Sequence, residues 1–471
     1  YRYESTHHSD DVKEKLSETE TGSSLEEKVS LSGRIMSMRR MGKASFMDLQ
    51  DINGRIQLFF KQDKLGKDSY QTLSDVNVGD LLGAEGTPFR TRKGEPSVNV
   101  DEYTIMGKGI LPLPDKHHGV KDKGFRYRHR SIDLLMNEKT KDTFLKRSKA
   151  ITALREYLDE QGFIEVETPL LQTVYGGASA KPFKTELNAL NIPLYLSISP
   201  ELHLKRLIVG GLEKVYTITK NFRNEGIDAT HNPEFTMMEC YQQDADYNDM
   251  MELTEGIYSH VFNKVLGTTK VEYQGKTLDF TPPWPRVTMY DAVREHTGID
   301  PEVMDKEDIA KAIEEKNYNT DITVSEEDTK GTLVQELFEL YCEGKYEQPT
   351  FITDHPKEST PLCKSHRENP ELIERFEPFA NGIEIANAYS ELNDPVAQRH
   401  LFEEQDRYMA AGNEEAQPTD EEFLRAMEYG MPATGGLGIG IDRMMLFLTD
   451  QPSIRDVILF PFMRPDYNKE R

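Results

Sequence analysis

The sequence holds only three cysteines and one tryptophan in 471 residues. Cys240, Cys342 and Cys363 stand far apart. That excludes a disulfide scaffold and any CxxC metal site, and it fits a reducing cytosol. No run of about 18 apolar residues occurs, which excludes a transmembrane helix and predicts no membrane partner. Residues 1–11 are polar and acidic and lack the charged-then-apolar pattern of a signal peptide. The chain opens on Tyr rather than Met, so the numbering is expected to start inside a longer product. A cytoplasmic location is expected. No internal repeat is visible.

Positive charge is also scarce. Lys and Arg number 57 against 82 Asp and Glu, a net of −25, which argues against generic nucleic-acid binding. The distribution is uneven. Residues 1–110 carry 16 basic and 18 acidic side chains, whereas the remainder carries 41 and 64. Residues 28–67 hold nine Lys/Arg against three Asp, and residues 116–130 hold six against one. Local patches decide whether phosphates can dock. A solvated surface face is the plainer explanation of the same residues.

The length suggests two to four domains at roughly 100–200 residues each. Residues 10–28 read as a helix followed by a Ser/Glu-rich stretch. From Val29 the pattern changes to short alternating strands, with Asn53-Gly54 as a hairpin signal. Five strands in about 80 residues predict a small closed barrel of the oligonucleotide-binding (OB) type. The domain expectation is an N-terminal segment and barrel over 1–107, a Gly/Pro/Lys/His-rich linker over 108–130, and a larger domain over 131–471. The fold class is α+β, with the larger domain mixing strands and helices. A charged helical segment at about 301–345 decorates it.

Three stretches carry chemistry. In residues 221–226 (Asn-Phe-Arg-Asn-Glu-Gly), Arg223 and Glu225 alternate, so on a strand they share a face. After a loop to His231, Phe235, Met237, Glu239 and Tyr241 alternate on a second strand. An aromatic can stack a base, and an Arg fork can hold phosphate or carboxylate. A structural ion-pair network explains them too. In residues 376–395, Glu377 and Glu384 flank the Asn381-Gly382 turn. A hairpin could bring both carboxylates to one divalent cation beside phosphate oxygens, or leave them as surface charge. Asn387, Tyr389 and Glu391 alternate on one face. Residues 435–448 read as a Gly-rich strand running into a helix at Asp442-Arg443, either a phosphate approach or tight packing.

These three segments resemble the signature motifs of class II aminoacyl-tRNA synthetases. The wording of residues 222–226 and 231–239 is similar to that of the lysyl-specific members. The first motif matches residues 162–169 (Gly-Phe-Ile-Glu-Val-Glu-Thr-Pro), and residues 176–183 match as well. The resemblance covers essentially the whole chain. It implies an antiparallel catalytic sheet flanked by helices, and a homodimer with Pro169 at its interface. It implies ATP, L-lysine and tRNA(Lys) as substrates and Mg2+ as cofactor.

Residue by residue, the resemblance gives Arg223 the α-phosphate and substrate carboxylate, and Arg443 the γ-phosphate. Glu377 and Glu384 become magnesium ligands. Phe235 stacks beneath adenine, while Glu225 and His231 contact the nucleotide. Glu201 and Glu239 become carboxylates of the lysine pocket, Gly177 supplies backbone to the α-amine, Tyr241 and Glu391 hold the ε-ammonium, and Asn387 and Tyr389 line the stem. In the barrel, Phe46, Gln57 and Glu95 match the reader of the central anticodon uridine, with Arg39, Arg40 and Lys43 at the RNA backbone. Phe46 could equally be barrel core. The chain departs from the family at Ile383, where many members carry a basic residue, and at Gln242-Gln243. An aspartyl- or asparaginyl-type synthetase, or a non-catalytic RNA-binding protein on the same fold, are the competing readings.

Overall fold

A computed structural model describes residues 2–114, 120–318 and 321–465. Part of the expected linker, with Lys116, lies outside them. The chain divides into two units, Tyr1–Asp122 and Lys123–Arg471.

The first unit opens on helix α1 (Ser9–Lys15), shorter than the sequence suggested, followed by five strands. These are β1 (Val29–Met41), β2 (Ala44–Gln50), β3 (Arg55–Lys61), β4 (Leu81–Arg90) and β5 (Pro96–Gly107). They close in the order β1-β2-β3-β5-β4, with β1 pairing back onto β4. Alternation decides which side chains enter: Met47 and Leu49, then Ile56, Leu58 and Phe60, point inward and are buried. Val29, Leu31, Ile35, Leu82, Ala84, Val98 and Val100 complete the core. At Gly86 a side chain would run into the Asn99 carbonyl, so β4 can cross β5 there only as glycine.

In the second unit, residues 123–128 are helical rather than linker. Two arginines of the basic patch there are structural. Arg126 pairs with Asp133 at 2.9 Å. Arg130 is buried, paired with Asp133 at 2.6 Å, and donates to the carbonyls of Arg455, Ile458 and Leu459. Helix α2 (Glu138–Glu160) leads to strand β6 (Ile164–Glu165). Next come α3 (Glu201–Val209), β7 (Lys214–Phe222), β8 (Glu234–Gln243) and α4 (Tyr247–Leu266). The chain continues through β9 (Arg286–Thr288), β10 (Thr350–Pro356), β11 (Leu372–Ala380) and β12 (Ala386–Ser390). It ends on β13 (Thr434–Gly440) and α5 (Ile441–Thr449).

The strands form one sheet in the order β9-β10-β11-β12-β13-β8-β7-β6, with Ile383–Glu384 paired to β11. All its pairs are antiparallel except those at the two edges, β6 with β7 and β9 with β10. One face packs on α2, α4 and α5 through Leu154, Ile257, Phe262, Leu437, Met445 and Phe447. The opposite face is left for the site. In the 301–345 region, helices Lys306–Glu315 and Lys330–Tyr341 bury Ile309, Ile313, Leu333 and Leu337 in a second core shared with helix Met289–Thr297 and with Ile352, Leu372 and Phe379 of β10 and β11.

Candidate active site

A cavity of about 390 Å³ opens on the free face of the sheet. Gly177, Glu201, Arg223, Glu225, His231, Phe235, Glu239, Tyr241, Glu377, Glu384, Asn387, Tyr389, Glu391 and Arg443 all line it. Three sequence-distant segments therefore meet in one chamber, because β8, β13 and the adjoining strands β12 and β11 are consecutive neighbours in the sheet. Register sets the arrangement: Glu239 lies opposite Gly438, which lies opposite Asn387. Arg223 and Glu225 are not on the strand as expected, but on the loop just past the end of β7. Both still line the cavity.

One end of the cavity is acidic and dry. Glu201, Glu239 and Glu391 are all buried. Ser199 Oγ and Tyr241 Oη donate to Glu239 at 2.9 and 3.2 Å, and Tyr389 Oη donates to Glu201 at 2.7 Å. Burial, and then the charge of Glu201, push the Glu239 carboxyl up to about 8. Gly436 lies beneath Glu391: a side chain there would strike Glu391 Oε1 and the Tyr241 ring. Gly436, with Gly438 beside Glu239, thus makes room for the carboxylates, which is the tight-packing alternative of the sequence reading.

The other end is basic. The Arg223 guanidinium stands 5.2 Å over the Phe235 ring, and its buried Nε has no hydrogen-bond partner among the described residues. Burial lowers its pKa from the ordinary arginine value, with Glu225 the largest opposing charge. Arg443, in the first turn of α5, donates to the backbone carbonyl and the carboxylate of Glu384. His231 Nδ1 lies 2.8 Å from Asp228, and its Nε2 lies 3.5 Å from Arg443 Nη2. Asp442 ties this helix start to the sheet, accepting from Thr236 N at 2.8 Å and pairing with Arg147 at 2.6 Å.

Glu377 and Glu384 flank a turn at Asn381 and Gly382, both with positive φ. Each is already matched by a guanidinium, Glu377 by Arg375 and Glu384 by Arg443. Sequence reasoning missed Arg375, which also donates to Asn387 at 3.2 Å. Its neighbours alternate apolar and acidic, and nothing local marks it. Lys205 was missed because, beside Arg206 on a helix, nothing local marks it as buried. Gln417 was missed as well: its Oε1 accepts the Gly177 N–H at 2.9 Å, so a distant loop fixes the backbone expected to meet the substrate amine.

The remaining expected residues lie elsewhere. Pro169 is exposed and outside the cavity, next to exposed Leu170 and Leu171. On the barrel, Phe46 faces outward, half-buried, and stacks on Phe59 at 4.6 Å with Arg39 over its ring at 5.9 Å. It is not core. Gln57 accepts from Ser97 at 3.1 Å, and Glu95 is exposed. Arg40 is exposed, but its guanidinium is tied down, donating to the carbonyls of Leu73 and Val76.

Residues 122–464 match the family described as tRNA synthetases class II (D, K and N). Residues 29–106 match the OB-fold nucleic acid binding domain of the anticodon-binding type. The chain belongs to the class II tRNA synthetases. Its similarity to individual members is extensive. It is 50% identical to a lysine–tRNA ligase of Clostridium botulinum over all of this chain and 92% of that protein. It is 51% identical to a lysine–tRNA ligase of Clostridium perfringens over 99% of this chain and 92% of that protein. The cavity is thus where the synthetase carries its motif residues, and the barrel is its OB-fold domain.

Proposed function

We propose that this synthetase is a lysine–tRNA ligase. The observation that carries the reading is the buried acidic end of the cavity: Glu201, Glu239 and Glu391 suit a substrate bearing two ammonium groups. An aspartyl- or asparaginyl-type site needs a basic or amide-matching group in the same place, and three buried carboxylates would repel an acidic side chain. A non-catalytic role leaves the unpartnered Arg223 Nε unexplained.

In this reading lysine lies with its amines toward the carboxylates and its own carboxylate toward Arg223. Gly177 meets the α-amine, Asn387 and Tyr389 line the stem, and Tyr241 and Glu391 take the ε-ammonium. ATP stacks on Phe235, with Glu225 and His231 at the nucleotide and Arg443 at the γ-phosphate. The lysine carboxylate is ionised at neutral pH and attacks the α-phosphorus without a general base. The bond to the bridging oxygen breaks and pyrophosphate leaves. Arg223 and Arg443 stand ready for the charge that builds on phosphate oxygens. The tRNA 3′-terminal hydroxyl then takes the lysyl group and releases AMP.

Glu377 and Glu384 would hold Mg2+. Among the described residues no cluster of three His, Cys, Asp or Glu could hold a metal ion alone. Two carboxylates completed by phosphate oxygens and water are the arrangement magnesium favours. When bound, the ion neutralises phosphate charge. The homodimer is proposed through the exposed strip at Pro169, Leu170 and Leu171. The barrel is proposed to read the tRNA(Lys) anticodon with Phe46, Gln57, Glu95 and Arg39. No helix among the described residues is long and apolar enough to cross a membrane, and a cytoplasmic location is part of the proposal. The test is ATP–pyrophosphate exchange without tRNA. Lysine stimulates it; stimulation by aspartate and not by lysine overturns the reading.

A further inference from the structure

Lys205 is fully buried at the acidic end of the cavity, on α3 one turn after Glu201. Its ammonium lies 2.6 Å from Glu201 Oε1 and closer still to Glu391 Oε2. The rings of Tyr389 and Phe423 lie 5.7 and 5.9 Å from it. Lys205 itself is not among the residues lining the cavity, whereas both its acidic partners are. Neither Glu391 oxygen accepts a hydrogen bond among the described residues; Oε2 is engaged by the Lys205 ion pair, and the buried Oε1 has no partner. Tyr389 occupies the second oxygen of Glu201.

We propose that Lys205 is a positioning residue for the amino-acid substrate: a built-in ammonium that pins Glu201 and Glu391 side by side and leaves one Glu391 oxygen free for the incoming amine. The inference rests on the lysine reading of the site.

Charge supports it. Lys205 offsets one of the three buried carboxylates, Glu201, Glu239 and Glu391; Glu239, pushed up to about 8, is largely protonated in the free site, so the second negative charge for a substrate with two ammonium groups appears only when Glu239 gives up its proton on binding. Without Lys205, Glu201 and Glu391 would be neighbouring buried acids, and such a pair retains a proton instead of ionising twice. Burial holds the Glu391 carboxyl well above the ordinary glutamate value even beside Lys205, which is the strongest influence pulling it back; the charge contact between the two is what keeps it from rising further. Burial would likewise lower the Lys205 ammonium, but Glu201 and Glu391 raise it above the ordinary lysine value, so it stays charged. The other groups facing Glu391 are Glu239, Tyr241, Tyr389 and Cys363, with Arg375 beyond Cys363.

The experiment compares Lys205→Met, which keeps length but not charge, with Lys205→Arg. The readout is lysine-dependent pyrophosphate exchange across pH. Near pH 7 Lys205→Met raises the KM for lysine about ten-fold or more, with the KM for ATP unchanged, and the deficit shrinks toward pH 9 as the two acids ionise. Lys205→Arg restores the shape of the wild-type pH profile. A purely structural residue would move the KM for both substrates together at every pH, and that result overturns the inference. So does a wild-type lysine KM in Lys205→Met.

Should that variant not fold, the wild type decides. Calorimetry of lysine binding near neutral pH, in two buffers of different ionisation enthalpy, counts the protons released. We expect at most about one, from Glu239; release approaching two means that Lys205 leaves Glu391 protonated, and overturns the inference. Absence of any lysine-dependent exchange by the wild type would instead overturn the lysine reading itself.

Discussion

Arg443 holds Glu384 twice through one nitrogen: Nη1 donates to the backbone carbonyl and to the carboxylate Oε2, both at 2.9 Å. Glu377 is held by Arg375 through a single contact, Nη2 to the carboxylate Oε1. Each proposed metal carboxylate is therefore kept company by a guanidinium that stands in for the cation. In the proposed reading, ATP with its ion would take the place of these partners, and Arg443 would turn from the Glu384 carboxylate to phosphate.

Glu384→Ala and Glu377→Ala accordingly abolish pyrophosphate exchange while leaving the fold intact. Both side chains are partly solvated, so their loss opens no core cavity. Melting temperature and exchange are measured together. Near-normal exchange at low magnesium in both variants would remove the metal role.

Glu391→Gln costs lysine binding about 3–5 kcal/mol at most, the scale of breaking a buried charged pair. Lys205 is left facing an amide, and the free oxygen offered to the ε-ammonium loses its charge. ATP binding is barely affected. An equal loss for both ligands would make Glu391 structural.

Gly436→Ala pushes a methyl group into Glu391 and the Tyr241 ring. Overpacking of this kind costs about 1–3 kcal/mol. The KM for lysine rises well beyond any change in the KM for ATP, because the intrusion is confined to the acidic end. Steady-state exchange kinetics at varied lysine and varied ATP check it.

Lysine binding strengthens as pH rises through about 8. Glu239 is pushed up to about 8 in the free site, by burial and then by Glu201, so near pH 7 it is largely protonated and attracts no ammonium. Substrate ammonium favours the ionised form, so the KM for lysine falls with rising pH and levels above that value. The sign for stability is opposite: an acid with a raised folded pKa holds its proton in the native state, and that contribution is lost between its ordinary value and about 8. Glu239→Gln flattens the KM profile. A lysine KM independent of pH in the wild type, below pH 9, contradicts this account.

Phe46→Ala lowers charging of tRNA(Lys) by about ten- to a hundred-fold, since stacking is worth about 1–3 kcal/mol per base. Pyrophosphate exchange is unchanged. Phe46 stacks outward on Phe59 and lies outside the barrel core, so the melting temperature barely moves. A large drop in melting temperature with equal loss for every tRNA would contradict the outward placement. Arg39→Ala weakens tRNA binding generally and reduces its salt dependence, as a phosphate contact does.

The sequence by itself determined the barrel, the motif strands and the families to which they belong, because strand periodicity and ordered motifs are local properties of the chain. Alternation placed Phe235, Glu239 and Tyr241 on one face, and likewise Asn387 and Tyr389, and the sheet keeps them there. The same rule misplaced Arg223 and Glu225, since β7 ends at Phe222. Charge counting took residues 116–130 for a phosphate patch or a solvated face. Arg126 and Arg130 instead hold Asp133 and the chain near residues 455–459, partners that only folding supplies. Whether Phe46 lies inside or outside the barrel depended on register, which the alternating strand alone leaves ambiguous. The tertiary structure alone decided which charges meet. Lys205 reaches Glu391 across 186 residues of chain, and Gln417 reaches Gly177 across 240. A buried ion pair is a property of two distant positions in one dry space, and no window of sequence contains both.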